Sequence, residues 1–196
     1  ELERLVDNSS ILELGCGWGS LTLANAKKYP KLQFVSFCNS VSQVKYIKEQ
    51  IKKNDLKNVS VYVEDYAVFT QGSKSQIYQY KSESFDRIVA IETLEHAQNI
   101  KILLQAISLY LKPNGKFFCQ SLLHQEKSFV MDNTSWLGRN FYTSGSIMSL
   151  NSYFHLSPKE LYIEDIIPVN GTHYCKTLTT WLVLMEQNKK QIIDIY

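Results

Sequence analysis

Glu92, Glu95 and His96 lie within five residues of one another, directly after the apolar run FDRIVAI at 85–91. Histidine titrates near neutral pH, and a carboxylate beside it can orient or share its proton. The trio therefore suits removal of a proton from a substrate nucleophile. Two plainer roles compete with this one. Two acids in a first helical turn favour the positive end of the helix dipole and need no further function. Two carboxylates and a histidine also suit iron or zinc, but no second ligand pair with ferritin-like or zincin spacing accompanies them, so no metal is expected. His124 and His155 read as structural or surface residues.

The second chemical signal is SILELGCGWGS at 10–20, an apolar strand running into Glu13 and then Gly15, Gly17 and Gly19. Glycines at this spacing let the backbone take positive φ or approach a ligand without a Cβ in the way. Ser20 then opens a helix whose free N–H groups face the turn. A dinucleotide fingerprint would read G-x-G-x-x-G, with an acid about twenty positions further on. Here the third glycine comes one residue early, and Asn39 stands where the acid would be. The departure favours S-adenosylmethionine over NAD, with a turn that binds nothing as the alternative.

These residues need a scaffold, and the chain supplies an alternating one. Ile11 to Leu14, LQFVSF at 32–37, VSVYV at 59–63, FDRIVAI at 85–91 and KFFCQSLL at 116–123 read as strands. Leu21 to Tyr29, Ser40 to Asn54 and Ile100 to Leu111 read as helices between them, the second with Val41, Val44, Ile47 and Ile51 on its apolar face. Near-continuous apolar strands alternating with helices predict an α/β fold, a mostly parallel sheet covered on both faces, with ligands at the carboxyl ends of its strands. The polar QGSKSQIYQYKSES at 71–84 reads as a surface loop. From about 125 to 160 the alternation lapses into an aromatic and polar segment that reads as an active-site cap. LYIEDIIPV at 161–169 reads as a further strand, and Thr179 to Asn188 as a helix.

At 196 residues, 44% of them hydrophobic, the chain predicts one domain: a cofactor half to about 124, a cap, and a remaining strand and helix over 161–196. A formal charge of +2, scattered, offers no basic stripe for nucleic acid and no polybasic membrane patch. No apolar run reaches the roughly 20 residues that span a bilayer. Cys16, Cys38, Cys119 and Cys175 form no C-x-x-C pair and read as reduced core thiols in a cytoplasmic setting. A sheet that starts almost at Glu1 and closes without a final strand suggests a truncated chain.

Four segments should converge on one cofactor. Glu13 and the glycine turn would hold its amino-acid end, and Asn39 and Gln43 its ribose hydroxyls. Asp65 would accept the adenine amino group, the Tyr66 N–H would donate to the ring, and Ile91 would supply a floor. Each has a bland counterpart, with Asp65 as a helix N-cap, Asn39 as a turn residue and Gln43 as solvated helix surface. Their joint placement at the same ends of successive strands favours the functional reading.

ILELGCGWGSLTLANAKKYP with CNSVSQVKYIKEQ, IETLEHAQN at 91–99, and SWLGRNFYTSGSIMS with VNGTHYCKTLTTWLVLME together carry a resemblance. The chain resembles the coclaurine N-methyltransferase group, within the cyclopropane-fatty-acid-synthase-like class of S-adenosylmethionine-dependent methyltransferases. The resemblance implies a Rossmann-like class I methyltransferase domain of seven strands, here lacking its N-terminal lid and final strand. It implies S-adenosylmethionine as donor, S-adenosylhomocysteine as product and a small amine as acceptor. IETLEHAQN would be the catalytic signature, and the cap and the segment after the last strand would line the amine pocket. Methyl transfer from a sulfonium is an in-line displacement that needs a neutral nucleophile, so His96 would be the base, Glu95 would share or orient its proton, and Glu92 would attract the cationic amine. Trp136, Phe141, Tyr142, His173 and Tyr174 would add an apolar wall and cation–π attraction. The chain departs from the family in two places. Ser144 and Gly145, followed by Ser146, Ile147 and Met148, replace a double-glycine segment of the cap. Gln120 stands where cyclopropanating relatives carry a histidine that helps hold a bicarbonate base, which lowers the reading as lipid alkylation. A non-catalytic cofactor-binding module is the other alternative, and retention of Glu95 and His96 argues against it.

Overall fold

In the computed structural model, which describes residues 4–143 and 145–194, the apolar runs assemble into a five-stranded parallel sheet. β1 (Ser10–Leu14), β2 (Gln33–Cys38), β3 (Val59–Val63), β4 (Phe85–Ile91) and β5 (Leu111–Gln120) lie in the order β3-β2-β1-β4-β5. Leu14 stands opposite Phe37 on one side and Ala90 on the other. Strand order reverses between β1 and β4, so right-handed crossovers carry the helices to opposite faces. The buried side chains divide accordingly. Ile11 and Phe34 pack with Ala26 of α1 (Ser20–Lys28). Leu12, Leu14, Phe37, Ile88 and Ala90 pack with Leu103, Leu104 and Ile107 of the helix Ile100–Tyr110. This is period-two alternation with apolar side chains on both faces, which is why these strands read as continuous hydrophobic runs.

α2 (Val41–Lys53) is capped by Ser40, whose Oγ accepts from the Gln43 N–H at 3.4 Å. It buries Val44 and Ile47, but Val41, expected on the apolar face, lies in the first turn and is 69% exposed. α3 (Tyr66–Phe69) is a single turn, and α4 is the helix Ile100–Tyr110. The polar stretch after α3 is not a plain loop: Gly72–Lys74 and Gln76–Tyr80 are 3-10 turns that bury Ile77 completely. Glu64 anchors them, accepting from the Ser75 hydroxyl and, at 2.6 Å, from the Gln76 N–H. One apolar residue with a buried carboxylate clamp outweighs the polar composition around it.

β5 begins at Leu111, with Lys112 to Gly115 bulging out between the Phe85–Leu111 and Arg87–Lys116 pairs. It ends at Gln120, short of the expected 123, because Ser121 and Leu122 turn to a carboxylate described below. The cap contains a small sheet, β6 (Leu123–His124), β7 (Phe129–Val130) and β8 (Ser146–Ser149) in the order β6-β8-β7, with α5 (Trp136–Asn140) and α6 (Leu150–Leu156). Ser144 lies outside the described residues.

Contacts divide the chain into two compact units, with the boundary between Tyr162 and Ile163. The expected strand at 161–169 joins no ladder among the described residues, and most of it is exposed. An alternating apolar pattern makes a strand only where a sheet edge is available to pair with it. In the second unit α7 (Thr172–Gln187) begins seven residues before the expected Thr179, and α8 (Lys189–Ile193) follows it. Threonines usually weaken helices, but here Thr177, Thr179 and Thr180 donate back to the carbonyls of His173, Cys175 and Lys176 at 2.9–3.2 Å.

Candidate active site

In a sheet of this order ligands bind where strand order reverses, at the carboxyl ends of β1 and β4. Both motifs lie there. Gly15 and Cys16 each donate a backbone N–H to the Phe37 carbonyl, at 2.9 and 3.1 Å, and Gly19 N–H closes the turn on the Cys16 carbonyl at 2.8 Å. Gly15, Gly17 and Gly19 have φ of +68°, +53° and +81°, so all three use the left-handed region, the first of the two uses of glycine that the sequence pattern allows. Gly15 is further constrained. A Cβ there would stand 2.0 Å from Thr93 Oγ1 and 2.9 Å from Tyr66 Oη, so the glycine turn, the start of α3 and the turn after β4 meet at this point. Tyr66 Oη and Thr93 Oγ1 are themselves hydrogen-bonded at 2.5 Å. At Gly17, by contrast, a Cβ would meet nothing within 4 Å among the described residues.

Glu13 is buried under this turn. Thr22 Oγ1 donates to its Oε2 and lies 2.7 Å from Ser36 Oγ. Burial raises the Glu13 carboxyl to about 7, against the pull of the Thr22 hydrogen bonds. Asn39 is exposed after β2, while Gln43 is half-buried with its Oε1 facing the Cys38 thiol at 3.5 Å. Asp65 does cap α3, its Oδ1 accepting from the Ala67 N–H at 2.8 Å, and its side chain remains exposed. Ile91 is half-buried at the end of β4. Parallel strands bring these residues to the carboxyl ends of neighbouring strands.

The turn after β4 separates the three candidate catalytic residues. Glu92 adopts φ +47°, unusual for a residue with a Cβ. It is held there by its N–H bond to the Gln120 carbonyl at 2.8 Å and by Gln120 Nε2 donating to its Oε1 at 3.0 Å. Leu94–His96 form one 3-10 turn, which sends consecutive side chains in different directions. Glu95 points inward, 2% exposed, and its Oε1 accepts from Ser121 Oγ at 2.9 Å and the Leu122 N–H at 2.5 Å. Its Oε2 is buried with no hydrogen-bond partner among the described residues. Neighbouring Cys119 is pushed up to about 12, first by burial and then by the Glu95 charge. His96 points outward and is exposed, stacked on Tyr142 with ring centroids 5.3 Å apart and edge-on to Phe141 at 5.8 Å. The expected sharing of a proton between Glu95 and His96 is therefore not formed: the carboxylate is committed to the end of β5 and the imidazole to the cap.

Of the proposed aromatic wall, Phe141 and Tyr142 reach His96, and Tyr142 is itself nearly buried. Trp136, on α5, is 69% exposed. His173 and Tyr174 belong to α7 in the second unit, the former exposed and the latter half-buried. His124, exposed, accepts at Nδ1 from the Glu126 and Lys127 N–H groups, as a turn-stabilising residue does. Of the thiols expected in the core, Cys16 and Cys38 are buried, Cys119 is half-buried, and Cys175 is exposed on α7. Among the described residues there is no cluster of three or more metal-ligating side chains, and no helix long and apolar enough to cross a membrane.

Thr93, Ser121 and the Tyr66 hydroxyl are absent from the sequence-based set. Thr93 had only its place within IETLEH as a signal, because its contact with Gly15 is set by the tertiary structure. Ser121 had none, because its role depends on where β5 stops.

Residues 2–196 match the profile of the mycolic acid cyclopropane synthetase family. The chain belongs to that family. It is 31% identical over 204 residues to (S)-coclaurine N-methyltransferase of Papaver somniferum, covering 100% of this chain and 54% of the relative. To the cyclopropane-fatty-acyl-phospholipid synthase of Escherichia coli K12 it is 25% identical, covering 98% of this chain and 46% of that protein. A crystal structure of coclaurine N-methyltransferase bound to N-methylheliamine and SAH superposes with a TM-score of 0.78 at 28% identity, over 94% of this chain and 53% of that one. The fold is thus the Rossmann-like fold of class I methyltransferases. The chain spans about half the length of the curated relatives it matches.

Proposed function

We propose that this protein is an S-adenosylmethionine-dependent methyltransferase acting on the nitrogen of a small amine. The observation that carries the reading is the meeting of the glycine turn with the turn after β4 at Gly15 and Thr93, which brings a donor seat and a titratable side chain to one switch point. The residues fit the donor: three left-handed glycines expose backbone at the start of α1, with open space beside Gly17, and Asn39 and Asp65 present exposed polar side chains at the same edge. Glu13 and Gly15, Gly17 and Gly19 would hold its amino-acid end, Asn39 and Gln43 the ribose, and Asp65, the Tyr66 N–H and Ile91 the adenine. When bound, the donor supplies a methyl group on a sulfonium.

The remaining work belongs to the chain. His96, exposed and steadied between two cap rings, takes the proton from the amine so that a neutral lone pair is available. Glu92, fixed by Gln120, attracts the cationic amine before that transfer. Glu95 acts as a positioning residue, tying the catalytic turn to the end of β5. Phe141, Tyr142 and Trp136 present aromatic surface to the substrate and help exclude water. The free thiols support a reducing, cytoplasmic setting.

The coclaurine-type relative is more similar in sequence than the cyclopropane synthase, and Gln120 is engaged with Glu92 instead of occupying a base site. Both observations favour an amine over a lipid acceptor. Incubating the protein with methyl-labelled S-adenosylmethionine and either a panel of secondary and tertiary amines or unsaturated phospholipid vesicles separates the two. Label should enter the amines only, and label in the lipid would overturn the assignment.

A further inference from the structure

Two thiols lie together at the donor seat with no role in it. Cys16 sits between Gly15 and Gly17, and Cys38 is the last residue of β2, directly before Asn39. The β1–β2 register ends with Leu14 opposite Phe37, so Gly15 follows opposite Cys38, and Cys16 N–H bonds to the Phe37 carbonyl at 3.1 Å, which makes Cys16 and Cys38 diagonal neighbours where the ladder ends. Disulfides join residues whose Cα atoms lie roughly 4.4 to 6.8 Å apart, a separation that near neighbours of this kind can reach with a small backbone shift. Both cysteines are free and belong to one buried cluster with Val44, Ile47 and Val61. The contact is direct, and it is asymmetric. The Cys16 thiol, through this contact and its burial, holds its own proton tightly, while the same contact and the Ser40 backbone draw the Cys38 thiol down against the opposing effect of burial.

We propose that Cys16 and Cys38 form a peroxide-responsive dithiol whose oxidation to a disulfide disables the donor seat. The seat itself is the one inferred in the preceding subsection. The Cys38 thiolate attacks a hydroperoxide oxygen, the O–O bond breaks, and the departing oxygen leaves as the alcohol, or as water from hydrogen peroxide. Cys16 sulfur then attacks the resulting sulfenic sulfur, expelling a second molecule, water, as its own proton is lost. Two thiols are oxidised by two electrons and one hydroperoxide is reduced. Bonding the sulfurs brings them to about 2.05 Å, which pulls the backbone between Gly15 and Gly17 toward β2 and displaces the turn the donor needs. The disulfide remains open to reversal by exchange with an external dithiol.

The test uses the full chain carrying Cys175→Ser, which removes the exposed thiol on α7. After titration with hydrogen peroxide, peptide mapping should show Cys16 and Cys38 joined, lighter by two hydrogen atoms. Calorimetric affinity for S-adenosylhomocysteine should fall by about tenfold or more and return on treatment with dithiothreitol. Cys38→Ser in the same background should form no such link. Its thermal midpoint, measured alongside, establishes that it is folded. Absence of the Cys16–Cys38 peptide, or its formation with affinity unchanged, overturns the proposal. Failure of the reduced protein to bind S-adenosylhomocysteine would strike the donor-seat reading instead, while the peptide map still decides whether the disulfide forms.

Discussion

The two sides of the switch point are built differently. On the proposed donor side, Gly15, Tyr66 and Thr93 interlock so closely that a single methyl group has no room, and Glu13 is buried beneath them with Thr22 and Ser36. On the proposed acceptor side, His96 is exposed and stacked against Phe141 and Tyr142, and Trp136 stands largely in solvent. A rigid, pre-shaped seat suits one invariant ligand, whereas an exposed aromatic surface can accept amines of different shape. The proposed donor seat is therefore the more sharply defined of the two sides.

The sharpest way to break this comparison is a pair of identical substitutions. Gly15→Ala meets both a positive φ and Thr93 at 2.0 Å, so donor affinity should fall by more than about a hundredfold. Gly17→Ala meets only its φ of +53°, with no neighbour within 4 Å, and should cost about 1–2 kcal/mol, roughly tenfold. Equal losses in calorimetry would mean that close packing at Gly15 does not shape the seat.

On the acceptor side His96→Ala should lower kcat by about a hundredfold with donor affinity nearly unchanged. Glu95→Gln should act through position, with a lower thermal midpoint alongside any loss of turnover, because its Oε1 accepts from Ser121 and Leu122. Turnover unaltered in the His96 variant would remove the base from the scheme.

Burial of Glu13 gives a pH signature peculiar to the donor side. Its carboxyl is raised from 4.5 to about 7 in the folded state, so the folded protein retains a proton that the unfolded chain releases. The stability this contributes is present below about pH 4.5 and is lost as pH rises through 7, amounting to about 3 kcal/mol at most. Relative to wild type, Glu13→Gln should flatten the decline in thermal midpoint between about pH 5 and 8. The smallest effect is expected for Trp136→Ala, which should alter KM for amines by no more than about threefold, since the ring is mostly solvated.

Much of the donor side could be read from the sequence because local rules govern it. Apolar runs locate β1 to β4, and the glycine spacing marks a turn needing positive φ or close approach, of which all three glycines show positive φ. The acceptor side depends on tertiary relations that no spacing encodes. Nothing in LEH reveals that a 3-10 turn sends Glu95 inward and His96 outward, or that β5 stops at Gln120 so that Ser121 and Leu122 can meet the carboxylate. The run at 161–169 shows the same limit, being a strand by pattern that pairs with no edge among the described residues. Ile77 is the converse, a buried apolar residue concealed in a polar segment.

Titration of the protein with S-adenosylhomocysteine in a calorimeter tests the central claim most directly. The arrangement at Gly15, Tyr66 and Thr93 predicts saturable binding at one site per chain, abolished by Gly15→Ala and retained in His96→Ala. No heat of binding in the wild-type protein, or equal binding by the Gly15 variant, would contradict it.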